Sequence, residues 1–210
     1  MLNIWGRMSS INVRKVVWCA QELGLNFQRT EAGGKYGVVQ SPEYQAMNPN
    51  AMVPTISDDD GFVLWESNVI VRYLCAKHWT WRFYPEQLSE RFDAERWMDW
   101  QQTTLNRASG GAFVQWVRTP PGQRNAELIA ASVHATEPLL ALLDTHLATR
   151  RFMLGEQFGM ADIPLGCEVH RWFGLPPTEY VRPAWPHLER WFAELQSRPG
   201  ARGVLDLALE

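Results

Sequence analysis

Residues 88–210 contain no segment that reads as a strand, whereas the first 77 residues alternate strand and helix patterns. That change of pattern rules out a single sheet running through the whole chain and predicts an α/β unit followed by an all-helical one. Leu2-Asn3-Ile4-Trp5 is short and apolar and stops at Gly6, as a strand does. Val13, Val16, Val17, Ala20 and Leu23 recur at helical spacing, and Gly24 closes the run. A second strand fits Asn26 to Ala32 before Gly33-Gly34, and the stretch from Ser41 to Pro49 has room for one short helix. Thr55-Ile56-Ser57 and Phe62-Val63-Leu64-Trp65 flank Asp58-Asp59-Asp60-Gly61, a hairpin signal, and Val69, Ile70, Tyr73 and Leu74 mark a third helix. Two consecutive strands late in this order predict a mixed sheet with an antiparallel edge.

The aromatic, proline-bearing segment from His78 to Pro85 lacks periodicity, and a linker is assigned to residues 78–87. Residues 89–117 then fit one long helix of about 43 Å, ended by Thr119-Pro120-Pro121-Gly122. Ile129, Val133, Thr136, Leu140, Leu143 and Leu147 alternate spacings of four and three, as in a packed bundle helix, with Pro138 expected to bend it. Further helices fit residues 161–173 and 187–196, the latter burying Leu188, Trp191, Phe192 and Leu195. The resulting domains are 1–77 and 88–210.

Composition narrows the function classes. The apolar share of 46% and charged share of 20% are those of an ordinary globular protein. A net charge of −3 argues against a nucleic-acid binder that relies on overall basicity, although arginine supplies 17 of the 20 basic residues and leaves local anion sites open. The sequence has no run of 18 apolar residues and no signal-peptide layout at its start, which predicts a cytoplasmic protein without a membrane partner. Cys19, Cys75 and Cys167 are widely spaced and form no CxxC pair, so buried thiols are expected rather than disulfides or a metal site.

Three motifs carry a resemblance to a known family: Trp5-Gly6-Arg7-Met8-Ser9-Ser10-Ile11-Asn12-Val13, Asn48-Pro49-Asn50-Ala51-Met52-Val53-Pro54-Thr55, and Trp65-Glu66-Ser67-Asn68 before an apolar helix. In this order and at these separations they resemble the cytosolic glutathione S-transferases, particularly the bacterial serine-type proteins. The resemblance covers essentially the whole chain. It implies a thioredoxin-like domain joined to a helical bundle, glutathione as co-substrate, a small electrophile as second substrate, a role in detoxification and a homodimer.

The site residues follow motif by motif. Ser9 and Ser10 stand where a strand hands over to a helix N-terminus, where unpaired N–H groups favour an anion. A hydroxyl bonded to a thiolate lowers the thiol pKa from about 8.5. Ser10 is the first choice, because Ser10-x-Asn12 resembles the hydroxyl-x-Asn pattern of related bacterial classes; Ser9 is the alternative, and helix capping is the structural one. The resemblance implies a cis Val53–Pro54 bond and a backbone edge at Val53 for the cysteinyl part of glutathione. It assigns Glu66 and Ser67 to the γ-glutamyl end, and Lys35 and Asn50 to the glycyl end. An electrophile pocket is expected between the domains, with Arg7, Arg107, Phe113, Trp116 and Arg118 as candidates. Gly159 stands where the family's helical capping box opens with Ser or Thr, leaving Asp162 to bond back to the loop.

Two other readings compete. Ser9-Ser10-x-x-x-Arg14 partly resembles glutathione-dependent isomerases of maleylacetoacetate type, but Ile11 stands where that group has cysteine. A non-catalytic binding or regulatory protein on the same fold is the other. A thiol–disulfide reductase is disfavoured because residues 7–10 hold no cysteine.

Overall fold

The computed structural model describes residues 1–78 and 83–210; residues 79–82 of the expected linker lie outside the described residues. The first part runs β1 (Leu2–Trp5), α1 (Ile11–Glu22), β2 (Phe27–Thr30), a short 3-10 turn at Gly34–Tyr36, α2 (Pro42–Met47), β3 (Thr55–Ser57), β4 (Val63–Trp65) and α3 (Ser67–His78). The sheet order is β2-β1-β3-β4. β1 lies parallel to β2 and antiparallel to β3, with Ile4 opposite Ile56, and β3 pairs antiparallel with β4. This is the mixed sheet predicted, in a thioredoxin-like arrangement.

Helices follow: α4 (Leu88–Trp100), α5 (Asn106–Phe113), α6 (Ala126–Leu147), α7 (Asp162–Phe173) and α8 (Pro186–Gln196). The long helix expected over 89–117 is a continuous helical path with two wide π turns, Gln101–Leu105 and Val114–Arg118. Helical periodicity gave no sign of them. Helix α6 continues through Pro138 and buries Thr136, Leu140, Leu143 and Leu147, with Ile129 and Val133 only partly covered. By length and composition alone, with a mean hydropathy of 1.3, it would suffice to cross a membrane. Here it packs against α5 and α8.

Helix α1 is the centre of the molecule. Every residue from Val13 to Ala20 is buried, because α3 covers one side and α7 another. A Cβ on Gly166 of α7 would sit 2.8 Å from the Trp18 ring and 2.7 Å from Leu195, so glycine permits the close approach of the two helices. Encasing α1 also buries two cations, Arg14 and Lys15, which the pattern of a one-faced helix does not foresee. All three cysteines are buried and free; Cys19 and Cys75 sulfurs lie 3.7 Å apart.

Candidate active site

The loop after β1 is fixed before any side chain acts. Gly6 has φ of 156°, and a Cβ there would lie 2.3 Å from Val13, so only glycine lets the chain pass so near α1. The Arg7 N–H donates to Ala32 O at 3.1 Å, the Ser10 N–H to Arg7 O at 3.1 Å, and Arg14 Nε to Met8 O at 2.7 Å. Ser10 therefore stands at the N-cap of α1 with extended backbone, yet its side chain makes no capping bond. Capping does not occupy the hydroxyl, which remains available to a ligand beside the positive helix end.

Two cavities meet at Asn12. The larger, about 220 Å³, is lined by Ser9, Ser10, Arg7, Phe113, Arg118 and Arg171 among others. The smaller, about 130 Å³, is lined by Asn50, Val53, Pro54, Glu66, Ser67 and Gln102. Asn12 lines both, and its Oδ1 accepts from Ser67 Oγ at 3.2 Å, which leaves its amide N–H groups unbonded among the described residues.

The smaller cavity rests on a braced loop. Asn48 accepts from the Asn50 N–H at 3.0 Å and donates to Met52 O at 2.9 Å and Thr55 Oγ1 at 3.0 Å, while the Tyr44 hydroxyl donates to Met52 O at 2.6 Å. The Val53–Pro54 bond is cis, as the resemblance implied. Glu66, just before α3, has φ of 72°, a left-handed conformation that costs a non-glycine residue about 1 kcal/mol or more. Ser67 donates its one hydroxyl hydrogen to Asn12, so the first-turn N–H groups of α3 are what remains for a carboxylate.

A buried polar network runs between the cavities. Lys15 Nζ donates to Gln101 Oε1 at 2.8 Å and Gln102 Oε1 at 3.0 Å. Gln101 Nε2 donates to Glu168 Oε2 at 2.8 Å, and the other Glu168 oxygen accepts from Ser109 Oγ at 2.6 Å and from Arg171. Burial lowers the Lys15 pKa to about 8. Burial likewise lowers His170 to about 4, keeping it neutral so that Nδ1 accepts from Arg14 Nη1 at 3.1 Å. Cys167 borders the larger cavity, but burial pushes its thiol up to about 12, which removes it as a nucleophile near neutral pH.

Of the sequence candidates, Ser9, Ser10, Asn12, Arg7, Phe113 and Arg118 meet at the larger cavity, and Asn12, Asn50, Val53, Pro54, Glu66 and Ser67 at the smaller. Lys35 is exposed on the 3-10 turn, with its ammonium over the Tyr36 ring, and lines neither. Two candidates for the electrophile pocket are corrected. Arg107 is exposed on α5, and Trp116 is buried in a stack with Tyr180 at 5.4 Å; neither lines the cavity. Sequence reasoning missed Asn106, Arg171, Gln102 and Glu210, which arrive from distant segments. It placed Arg14 only in the isomerase-like motif. The Arg14 guanidinium donates to Met8 O, to Val204 O and Leu207 O, and to Ala208 O at 2.8 Å. Those bonds, with the one to His170, occupy it as a clamp on loop and tail. Asp162 accepts from the Gly159 N–H at 2.9 Å, the Met153 N–H and Trp191 Nε1, so it does bond back to its loop.

Comparison with known proteins agrees with this geometry. Residues 9–77 match the model of the glutathione S-transferase N-terminal domain, and residues 126–194 that of the glutathione S-transferase C-terminal domain. Glutathione S-transferase GstB of Escherichia coli (strain K12) is 39% identical over 206 residues, 98% of each chain. The theta-class glutathione S-transferase of Xanthomonas axonopodis pv. citri, solved with glutathione bound, superposes with a TM-score of 0.94 at 42% identity, over 100% of this chain and 99% of that one. Elongation factor 1-gamma 1 of Oryza sativa subsp. japonica is 29% identical over 88% of this chain and 42% of its own. With the mixed sheet, the serine at the head of α1 and the cis-proline loop all in place, this chain belongs to the glutathione S-transferase family.

Proposed function

We propose that the protein is a glutathione transferase in which the hydroxyl of Ser10 holds the glutathione sulfur as a thiolate for attack on a small electrophile. It would act as a cytoplasmic homodimer in a detoxifying role, with glutathione bound by residues 1–77 and the electrophile enclosed from residues 88–210, across a linker at 78–87. Likeness over the chain does not decide chemistry by itself, since elongation factor 1-gamma 1 shares it. The observation that carries the reading is the Ser10 hydroxyl, which stands at a helix N-terminus without capping it and borders the cavity that joins the glutathione cavity at Asn12.

In this reading Val53 pairs with the cysteinyl backbone, the first turn of α3 takes the γ-glutamyl carboxylate and Glu66 faces its ammonium. Asn50 lies on the same wall. The thiol loses its proton to solvent, and Ser10 donates to the sulfur with the Asn12 amide as a second donor. Both bonds are stronger to thiolate than to thiol, so they favour the reactive state. Each unit of pKa lowering corresponds to about 1.4 kcal/mol. The isomerase alternative draws little from Arg14, which lines the larger cavity but spends most of its donors on Met8, Val204, Leu207 and Ala208 carbonyls and on His170.

The test is the pH–rate profile of conjugation. Ser10→Ala is expected to lower kcat/KM at pH 6.5 by roughly 10- to 1000-fold and to raise the apparent pKa toward that of free glutathione, with the deficit shrinking at high pH. A shift in Ser9→Ala alone would move the role to Ser9. No shift in either variant would overturn the serine mechanism.

A further inference from the structure

The walls of the larger cavity are strongly cationic. Arg7 extends over the Gly33–Gly34 backbone, where a Cβ on Gly33 would lie 2.8 Å from Nη1, and its guanidinium makes no hydrogen bond or ion pair among the described residues. Arg118 uses Nε on the backbone O of Glu210 at 3.0 Å and Nη2 on the Ser9 carbonyl at 3.2 Å, and no side-chain carboxylate pairs with it among the described residues. Arg171 is 8% exposed and is held through one Nη by Glu168, Ser109 and Asn106, while its buried Nε has no partner. The guanidinium carbons of Arg118 and Arg171 sit 4.6 and 5.0 Å from the centre of the Phe113 ring, so a flat apolar surface lies directly beside two cations. Glu210 is the one acidic residue on the lining among the described residues.

We infer that this cavity selects electrophiles that carry a small anionic group, a carboxylate or one of similar charge and shape, beside an apolar reacting portion. The inference rests on the transferase reading above and adds the substrate class. Guanidinium forks match planar oxyanions, and a buried donor without a partner favours a ligand that supplies an acceptor. Burial, then repulsion from Arg7 and Arg171, lowers the Arg118 pKa, and a bound anion would relieve that repulsion. A volume of about 220 Å³ is below the usual range for drug-sized ligands, which suits a single-ring or smaller molecule. The same chemistry has a rival source: the glycyl carboxylate of glutathione itself, because Gly33 lies against both Arg7 and Val53.

A matched pair of electrophiles separates these. 4-(Chloromethyl)benzoate and its methyl ester differ in one charge, and in both the thiolate forms the C–S bond as the C–Cl bond breaks and chloride leaves with the electron pair. After subtraction of uncatalysed rates at saturating glutathione, the carboxylate is expected to exceed the ester in kcat/KM by about tenfold or more, although an apolar pocket would prefer the ester. Added salt should reduce that ratio. Arg118→Gln and Arg7→Gln should each lower it by about tenfold, and Arg118→Lys should restore only part. Equal rates, or preference for the ester, overturn the inference and leave the transferase reading standing. Loss of both electrophiles by the same factor with a raised KM for glutathione also overturns it and assigns the arginines to the glycyl carboxylate. Turnover of neither by the unaltered protein overturns the transferase reading, and this inference with it.

Discussion

The smaller cavity draws most of its wall from residues 48–67, a loop, a hairpin and the start of a helix, and only Asn12 and Gln102 come from elsewhere. The larger gathers Arg7, Phe113, Arg118, Arg171 and Glu210 from segments far apart in the chain. One is shaped by neighbouring backbone and presents uncharged amides, a hydroxyl and a single acid. The other is shaped by the packing of helices against α1 and presents guanidinium groups. The smaller cavity is thus set by local structure and should survive changes in the helical core. The larger cavity inherits its shape from that core and should feel them.

The buried network between the cavities is the place to break this contrast. Glu168→Gln leaves Arg171 without its charge partner, and a loss of about 3–5 kcal/mol in unfolding free energy is expected by urea titration. Surviving enzyme should lose electrophile selectivity while glutathione affinity, by calorimetry, changes little. On the other side, Glu66→Ala and Ser67→Ala should each weaken glutathione binding by about 1–3 kcal/mol, with the ratio of carboxylate to ester electrophile unmoved. Unchanged affinity in both variants would remove that pair from the site. Lys15, charged when unfolded up to pH 10.5 but shifted to about 8 when folded, binds fewer protons in the folded state between those values. Stability contributed through Lys15 should therefore rise with pH from 8 to 10.5, by a few kcal/mol at most. Lys15→Met should flatten that rise in a series of unfolding titrations. The smallest effect is the most discriminating. Glu66→Gly relieves the φ of 72°, so the protein should gain up to about 1 kcal/mol even as glutathione affinity falls.

The same contrast explains what the sequence revealed. Strands and the hairpin were visible because glycines and an Asp-Gly turn punctuate short apolar runs, and Val53, Pro54, Glu66 and Ser67 were visible because they lie within contiguous motifs. Arg171 and Gln102 were not, since an arginine or glutamine on a helix reads as solvated until a second element covers it. Arg107 and Trp116 were drawn from the stretch 105–118 by residue type, and facing along that stretch is not legible from type alone. A π turn inserts one extra residue, about 100° of rotation, so positions beyond Gln101–Leu105 face differently from those of an unbroken helix. The second turn ends at Arg118, which lines the cavity.

Arg14 has a practical consequence. A single guanidinium grips Met8 O, one residue before Ser9, and the carbonyls of Val204, Leu207 and Ala208, while Glu210 reaches Arg118 on the cavity wall. A purification tag or a surface-immobilisation handle fused after Glu210 would pull on the same knot that positions Ser9 and Ser10. One fused before the exposed Met1 would leave it alone, so the two fusions should differ in turnover even when both fold equally well.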